Sequence, residues 1–137
     1  MMENKIAFTA GQFDIIHPGY IDMFDLARRN SNHVIILLNT WPFGKQKPIF
    51  SVEERIQILK ALRTIDEVLI YSSELGLLEL IQNLVNNHGK DNLVRILGSD
   101  YIGRTNFTGS EFDIPILYSP RTGWSYSEYI RKVQKRV

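Results

Sequence analysis

The chain of 137 residues contains no cysteine. Disulfide staples, thiolate nucleophiles and cysteine-ligated zinc are therefore excluded, and the absence fits a reducing compartment. No apolar run approaches the roughly 18 residues of a membrane-spanning helix. The first residues, Met1-Met2-Glu3-Asn4-Lys5, hold no apolar stretch of signal-peptide length, so a cytoplasmic protein is expected. An excess of one charge is missing too. Sixteen Lys and Arg against fifteen Asp and Glu leave a net charge of +1, which gives no reason to expect nucleic acid or an anionic membrane as a partner. The local basic cluster Arg131, Lys132, Lys135 and Arg136 reads as the dipole-matched end of a last helix. No repeat, low-complexity tract or linker divides the chain, and its length suits one domain over 1–137 with a sizeable core.

Short apolar runs alternate with helical patterns. Strands are expected at Ile6–Ala10, His33–Leu38, Glu67–Tyr71, Leu93–Leu97 and Ile114–Tyr118. The run Val34-Ile35-Ile36-Leu37-Leu38 has no polar alternation, as in a parallel strand buried on both faces. A first helix opens at Pro18, a residue suited to the first helical turn, with Ile21, Phe24, Leu26 and Ala27 as its buried face. Ser51-Val52-Glu53-Glu54 reads as a capping box opening a second helix with Ile56, Leu59, Ala61 and Leu62 inward. A third runs from Leu75 to about Asn87 and stops near Gly89. A last one begins at Ser125 or Tyr126 and reaches about Lys135. Strand–helix alternation of this kind specifies an α/β fold: a five-stranded parallel sheet with helices on both faces. Ligands of such sheets bind beyond the carboxyl ends of the strands, so the segments after each strand are the functional candidates.

The first of these is the most informative. Gly11-Gln12-Phe13-Asp14-Ile15-Ile16-His17-Pro18-Gly19-Tyr20 follows the first strand directly. A strand, a glycine turn and a helix opening at His17 aim backbone N–H groups and an imidazole at one point, which suits an anion, phosphate above all. A histidine there has its proton affinity lowered by the helix N-terminus and raised again by a bound phosphate. Lys45 and Lys47 stand in a loop with Gly44. They read either as solvated charges or as cations that close over phosphates. Arg55 and Arg63, eight apart, are expected on one face of the second helix. Arg55 in a first turn is unfavourable on dipole grounds and suggests an anionic ligand or a carboxylate partner such as Asp14. Arg63 is equally explained by the dipole at the helix end. Asp100, after the fourth strand, could accept from ribose hydroxyls or cap a turn. Arg121 and Ser125, after the fifth, form a second candidate anion site.

Together these segments resemble the cytidylyltransferase family of the H-x-G-H nucleotidyltransferases, over nearly the whole chain. Gly11-Gln12-Phe13-Asp14 through Gly19 resembles G-T-F-D-x-x-H-x-G-H, and Lys45-Gln46-Lys47 is similar to K-x-K. Glu54-Arg55 with Arg63 and then Asp66-Glu67-Val68 resembles E-x-R…R-x-x-D-E-V. Gly98-Ser99-Asp100-Tyr101 is similar to G-D-D-W, and Arg121-Thr122-Gly123-Trp124-Ser125 to R-T-E-G-I-S, one residue shorter. The resemblance implies a Rossmann-like domain that moves CMP from CTP onto a small phosphorylated alcohol resembling glycerol 3-phosphate, with release of pyrophosphate. Magnesium would accompany the nucleotide, and a homodimer is implied. His17 and Lys47 would be catalytic, stabilising the α-phosphate, with Tyr20 beside them. Ala10, Gly11, Gln12, Phe13, Gly19, Gly98, Asp100, Arg121, Thr122 and Ser125 would bind the nucleotide. Asp14, Lys45, Arg55 and Arg63 would serve the substrate.

Four positions depart from the family pattern. Tyr20 replaces the second histidine, Gln12 a threonine, and Tyr126 and Ser127 the threonines after Ser125. A tyrosine can donate one hydrogen bond but carries no positive charge near neutral pH, its reference pKa being about 10. Two alternatives therefore stand beside the CTP enzyme: an adenylyltransferase using ATP, which shares the H-x-G-H turn, and a nucleotide-binding module with impaired catalysis.

Overall fold

Strands and helices alternate along the chain as the apolar periodicity implies. The computed structural model describes residues 4–40, 47–120 and 131–135. The elements are β1 (Ile6–Gly11), α1 (Pro18–Arg29), β2 (His33–Asn39), α2 (Val52–Lys60), β3 (Glu67–Tyr71), α3 (Glu74–His88), β4 (Leu93–Gly98) and β5 (Ile116–Ser119). Short 3₁₀ turns occupy Lys90–Asn92, Ser99–Tyr101 and Ser110–Phe112, and residues 131–135 are helical.

The five strands form one parallel sheet in the order β3-β2-β1-β4-β5. One face buries Ala7, Val34, Ile36, Leu38, Val94 and Ile96 against Phe24 and Ala27 of α1 and Leu59 of α2. The other buries Phe8, Ile35, Leu37 and Leu93 against Leu77, Ile81 and Leu84 of α3. The central strands are thus covered on both sides, which is why β2 is apolar at successive positions. This is the Rossmann-like arrangement expected.

The direction of winding reverses between β1 and β4. There the sheet opens. The β1–β2 ladder continues to Gly11↔Leu38 and the β4–β5 ladder to Gly98↔Ser119. The β1–β4 ladder ends at Phe8↔Arg95. The last three residues of β1 therefore part from the end of β4, leaving a crevice at the topological switch point where such sheets receive ligands.

Several sequence expectations are corrected. The fifth strand starts at Ile116, not Ile114, because Pro115 has no N–H for the ladder. Its carbonyl accepts from the Arg95 N–H at 2.9 Å instead. In α1 the residues packed on the core are Tyr20, Met23, Phe24, Leu26 and Ala27. Ile21 falls outside that face and is exposed. Helix α2 ends at Lys60. Ala61 is its exposed cap, and the chain then turns through Leu62 and Ile65, whose packing on the core pulls it out of helical geometry. Arg63 is consequently not on α2 and shares no face with Arg55.

Candidate active site

The near wall of the crevice is the turn from β1 into α1. Phe13 adopts a left-handed backbone, φ +44°, uncommon for a bulky residue and a mark of a constrained site. That turn folds its ring back under β1. A Cβ added to Gly11 would lie 3.0 Å from the ring, so Gly11 is a glycine because Phe13 occupies its side-chain space. The buried ring meets Tyr20 edge-on at 5.1 Å and Phe24 at 5.5 Å.

His17 caps α1. Its Nδ1 accepts from the Gly19 N–H at 3.1 Å, and its ring stacks on Tyr20 with centroids 4.2 Å apart. It is buried, and that burial pushes its pKa below the ordinary histidine value. The cap bond acts in the same direction, since protonation at Nδ1 would remove the acceptor. The neutral ring so held carries its proton on Nε2 and is a hydrogen-bond donor there. Pro18 has no N–H, and the Gly19, Tyr20 and Ile21 N–H groups are engaged by His17 Nδ1 and the His17 carbonyl, so what this helix start can present to an oxyanion is the imidazole N–H.

Two charged side chains brace the wall. Asp14, buried, accepts from the backbone N–H groups of Ile49 at 2.7 Å and Phe50 at 2.9 Å. Arg55, 2% exposed, donates to the carbonyls of Gln12 and Asn39 at 2.9 Å each and to Phe50 at 3.2 Å. Together they tie the β1–α1 turn, the end of β2 and the segment leading into α2. The dipole mismatch noted for Arg55 is answered by carbonyl oxygens in these hydrogen bonds. Exposed Lys47 stands two residues from Ile49, so Asp14 anchors the base of its loop. The capping box at Ser51 forms as expected, with Glu54 Oε1 on the Ser51 N–H at 2.9 Å and Ser51 Oγ on the Glu54 N–H at 3.1 Å.

The far wall is the end of β4. Asp100 turns back beside Gly98, where a Cβ would lie 2.6 Å from the carboxylate oxygen. Below it stands a residue that the sequence reading passed over. Arg95 interrupts an otherwise apolar strand and is 5% exposed. Its guanidinium lies 5.1 Å from the Phe107 ring centroid and 5.7 Å from that of Phe8. Nη1 donates to the Thr108 carbonyl, and Nε has no hydrogen-bond partner among the described residues. Burial lowers its pKa, opposed by Tyr101 and Tyr71. Tyr71 is itself pushed up to about 12 by desolvation. A charge inside a strand buried on both faces was the signal available for Arg95.

The structure therefore brings Ala10, Gly11, Gln12, Phe13, Asp14, His17, Gly19, Tyr20 and Arg55 to one wall of the crevice, and Gly98 and Asp100 to the other. Arg63 is carried away. It lies in the turn before β3, where Asp66 N–H bonds the carbonyl of Val34 near the start of β2, at the amino end of the sheet. Lys45, Arg121, Thr122 and Ser125 lie outside the described residues, as do Tyr126 and Ser127.

A Rossmann-like sheet with a crevice at its switch point, rimmed by a histidine-capped helix start, defines a ligand-binding α/β domain. A family model described as cytidylyltransferase-like matches residues 8–122, and the chain belongs to that family of nucleotidyltransferases. It is 32% identical over 102 residues to the bifunctional protein HldE of Gluconacetobacter diazotrophicus, covering 71% of this chain and 20% of that protein. It is 29% identical over 136 residues to HldE of Coxiella burnetii, covering 93% and 27%. The chain thus spans about a fifth to a quarter of the length of these relatives. Among solved structures, a lipopolysaccharide core biosynthesis protein from Thermoplasma volcanium superposes with a TM-score of 0.60 at 17% identity, over 88% of this chain and 98% of that one. A bifunctional NMN adenylyltransferase/ADP ribose pyrophosphatase from Francisella tularensis, complexed with AMP and a manganese ion, does so with a TM-score of 0.66 at 21% identity, over 97% and 42%. These two share the fold.

Proposed function

We propose that the chain transfers CMP from CTP to a small phosphorylated alcohol of the glycerol 3-phosphate kind. An oxygen of the acceptor phosphate attacks the α-phosphorus, the bond to the β-phosphate breaks, and pyrophosphate leaves. The observation that carries this reading is the crevice between β1 and β4, with the His17-capped start of α1 on its rim. Catalysis is positioning plus charge neutralisation, with no covalent intermediate. His17 donates from Nε2 to an α-phosphate oxygen, Tyr20 adds a hydroxyl, and Lys47 adds charge from its anchored loop. Ala10 to Phe13 and Gly19 line the phosphates, and Gly98 and Asp100 face the nucleoside. Family membership and the Arg121-Thr122-Gly123 likeness support cytidine.

Magnesium belongs to this proposal. The described residues hold no group of three His, Asp or Glu side chains placed to ligate a metal ion. The ion would arrive on the triphosphate, held by phosphate oxygens and water. Such an ion would neutralise developing charge. A homodimer is also proposed. The edge strand β3 and the start of α3 expose Ile70 and Leu75, and light scattering tests the association. No helix among the described residues is long and apolar enough to cross a membrane.

A second reading uses ATP, favoured by the fold shared with a protein that is named an adenylyltransferase and holds AMP. A third, a module that binds nucleotide without turnover, rests on Tyr20. Calorimetric titration with CTP and ATP in magnesium separates the first two. CTP preference supports the cytidylyltransferase, and ATP preference replaces it with the adenylyltransferase. Tyr20→His addresses the third: a large gain in pyrophosphate release would mark the natural site as decayed.

A further inference from the structure

We infer that Arg95, with the tyrosines Tyr71 and Tyr101 beside it, forms a binding subsite for the phosphate of the acceptor alcohol, on the α3 side of the crevice floor. The inference rests on the nucleotidyltransferase reading and adds where the second substrate is held.

Four observations converge. First, place: Phe8↔Arg95 is the last pair of the β1–β4 ladder, so Arg95 stands where the two strands begin to part. Second, unmet bonding: the guanidinium is 5% exposed and pairs with no carboxylate among the described residues. Among the described residues it makes one hydrogen bond, to the Thr108 carbonyl, and buried Nε makes none. A buried cation is ordinarily matched by a counter-charge. The rings of Phe8 and Phe107 hold it in place but leave a donor pointing at nothing. A phosphate supplies the missing acceptor in the planar geometry that a guanidinium fits best. Third, company: Tyr71 ends β3 and Tyr101 ends the turn after β4. Tyr71, pushed up to about 12, remains a neutral donor at physiological pH. Both phenols lie near enough to interact electrostatically with the guanidinium, which keeps polar groups on the side of Arg95 where a phosphate monoester would sit. Fourth, contact: Gly109 at φ +86° has no side chain, and a Cβ there would come within 3.1 Å of Arg95 Nη1 and 2.9 Å of Ile81 Cδ1. The 107–109 backbone therefore lies against the guanidinium, and a phosphate that reaches it must shift that segment. Because Arg95 holds that segment through Thr108, acceptor binding and loop position are coupled.

The competing explanation is that Arg95 only staples the 107–109 loop to the sheet. The arginine Nε–H signal of the intact chain distinguishes the two by nitrogen–proton correlation spectroscopy, assigned by its loss in Arg95→Lys. On titration with glycerol 3-phosphate, and separately with inorganic phosphate, the Arg95 signal is expected to shift and saturate. In steady-state assays Arg95→Lys is expected to raise KM for glycerol 3-phosphate at least tenfold, with KM for CTP unchanged and the melting temperature near that of the natural chain. A silent Nε–H signal under saturating glycerol 3-phosphate would overturn the subsite, as would equal KM values for natural and Arg95→Lys proteins. Failure to bind nucleotide in the calorimetric titrations with CTP and ATP would instead defeat the nucleotidyltransferase reading, and the acceptor titrations, which contain no nucleotide, report the subsite separately.

Discussion

At the scale of single residues, His17 does two jobs with one ring. Nδ1 holds the start of α1 through the Gly19 N–H, and in the proposed reaction Nε2 donates to the α-phosphate. His17→Ala should lower kcat by about a hundredfold, the scale for losing one donor to a developing oxyanion, with a smaller effect on KM for the nucleotide. Its lowered pKa also fixes the sign of a stability effect. Below its reference value of about 6.5 the unfolded chain binds a proton that the folded one resists. The contribution is therefore whole above about pH 6.5 and is lost as the pH falls from there toward the folded value. Urea denaturation at a series of pH values should show an acid-side loss that His17→Gln reduces. Tyr20 can be tested the same way. Its ring packs between Phe13 and His17, packing that Tyr20→Phe preserves. Turnover should drop by about tenfold if the hydroxyl donates in the transition state.

At the scale of elements, the site is a turn braced by the ends of its neighbours. The family resemblance assigns Asp14 and Arg55 to the substrate. The structure gives them five hydrogen bonds to main-chain groups. Such a role is invisible in sequence, because it depends on chain segments as much as 43 residues apart. Asp14→Asn should cost about 2 kcal/mol, since its amide cannot accept both N–H groups as a carboxylate does. Arg55→Ala should cost about 3 kcal/mol or more by orphaning buried carbonyls. Equilibrium unfolding checks both, and Asp14→Asn should also raise KM for nucleotide by loosening the Lys47 segment. Local signals, by contrast, were readable: Ser51 with Glu54 forms its capping box, and Pro18 opens α1. Arg63 was misplaced because helical periodicity was extended past Lys60, where burial of Leu62 and Ile65 takes over.

At the scale of the whole molecule, the doubly covered sheet follows from the unbroken apolar run of β2 and the regular alternation of elements. The strand order does not follow from either. The parting of β1 from β4 above Phe8↔Arg95 is a tertiary fact, and with it goes the meaning of Arg95, whose only trace in sequence is a charge among Leu93, Val94, Ile96 and Leu97. The crevice produced at that point joins the His17 turn to the end of β4 and makes nucleotidyl transfer the reading of the fold. Phosphorus NMR of the purified chain with magnesium, CTP and glycerol 3-phosphate addresses it directly. Growth of free pyrophosphate together with a new pair of coupled diphosphate-diester signals, in equal amounts and abolished in His17→Ala, is the expected result. Unchanged CTP and glycerol 3-phosphate signals after prolonged incubation, with ATP in place of CTP equally inert, would contradict it.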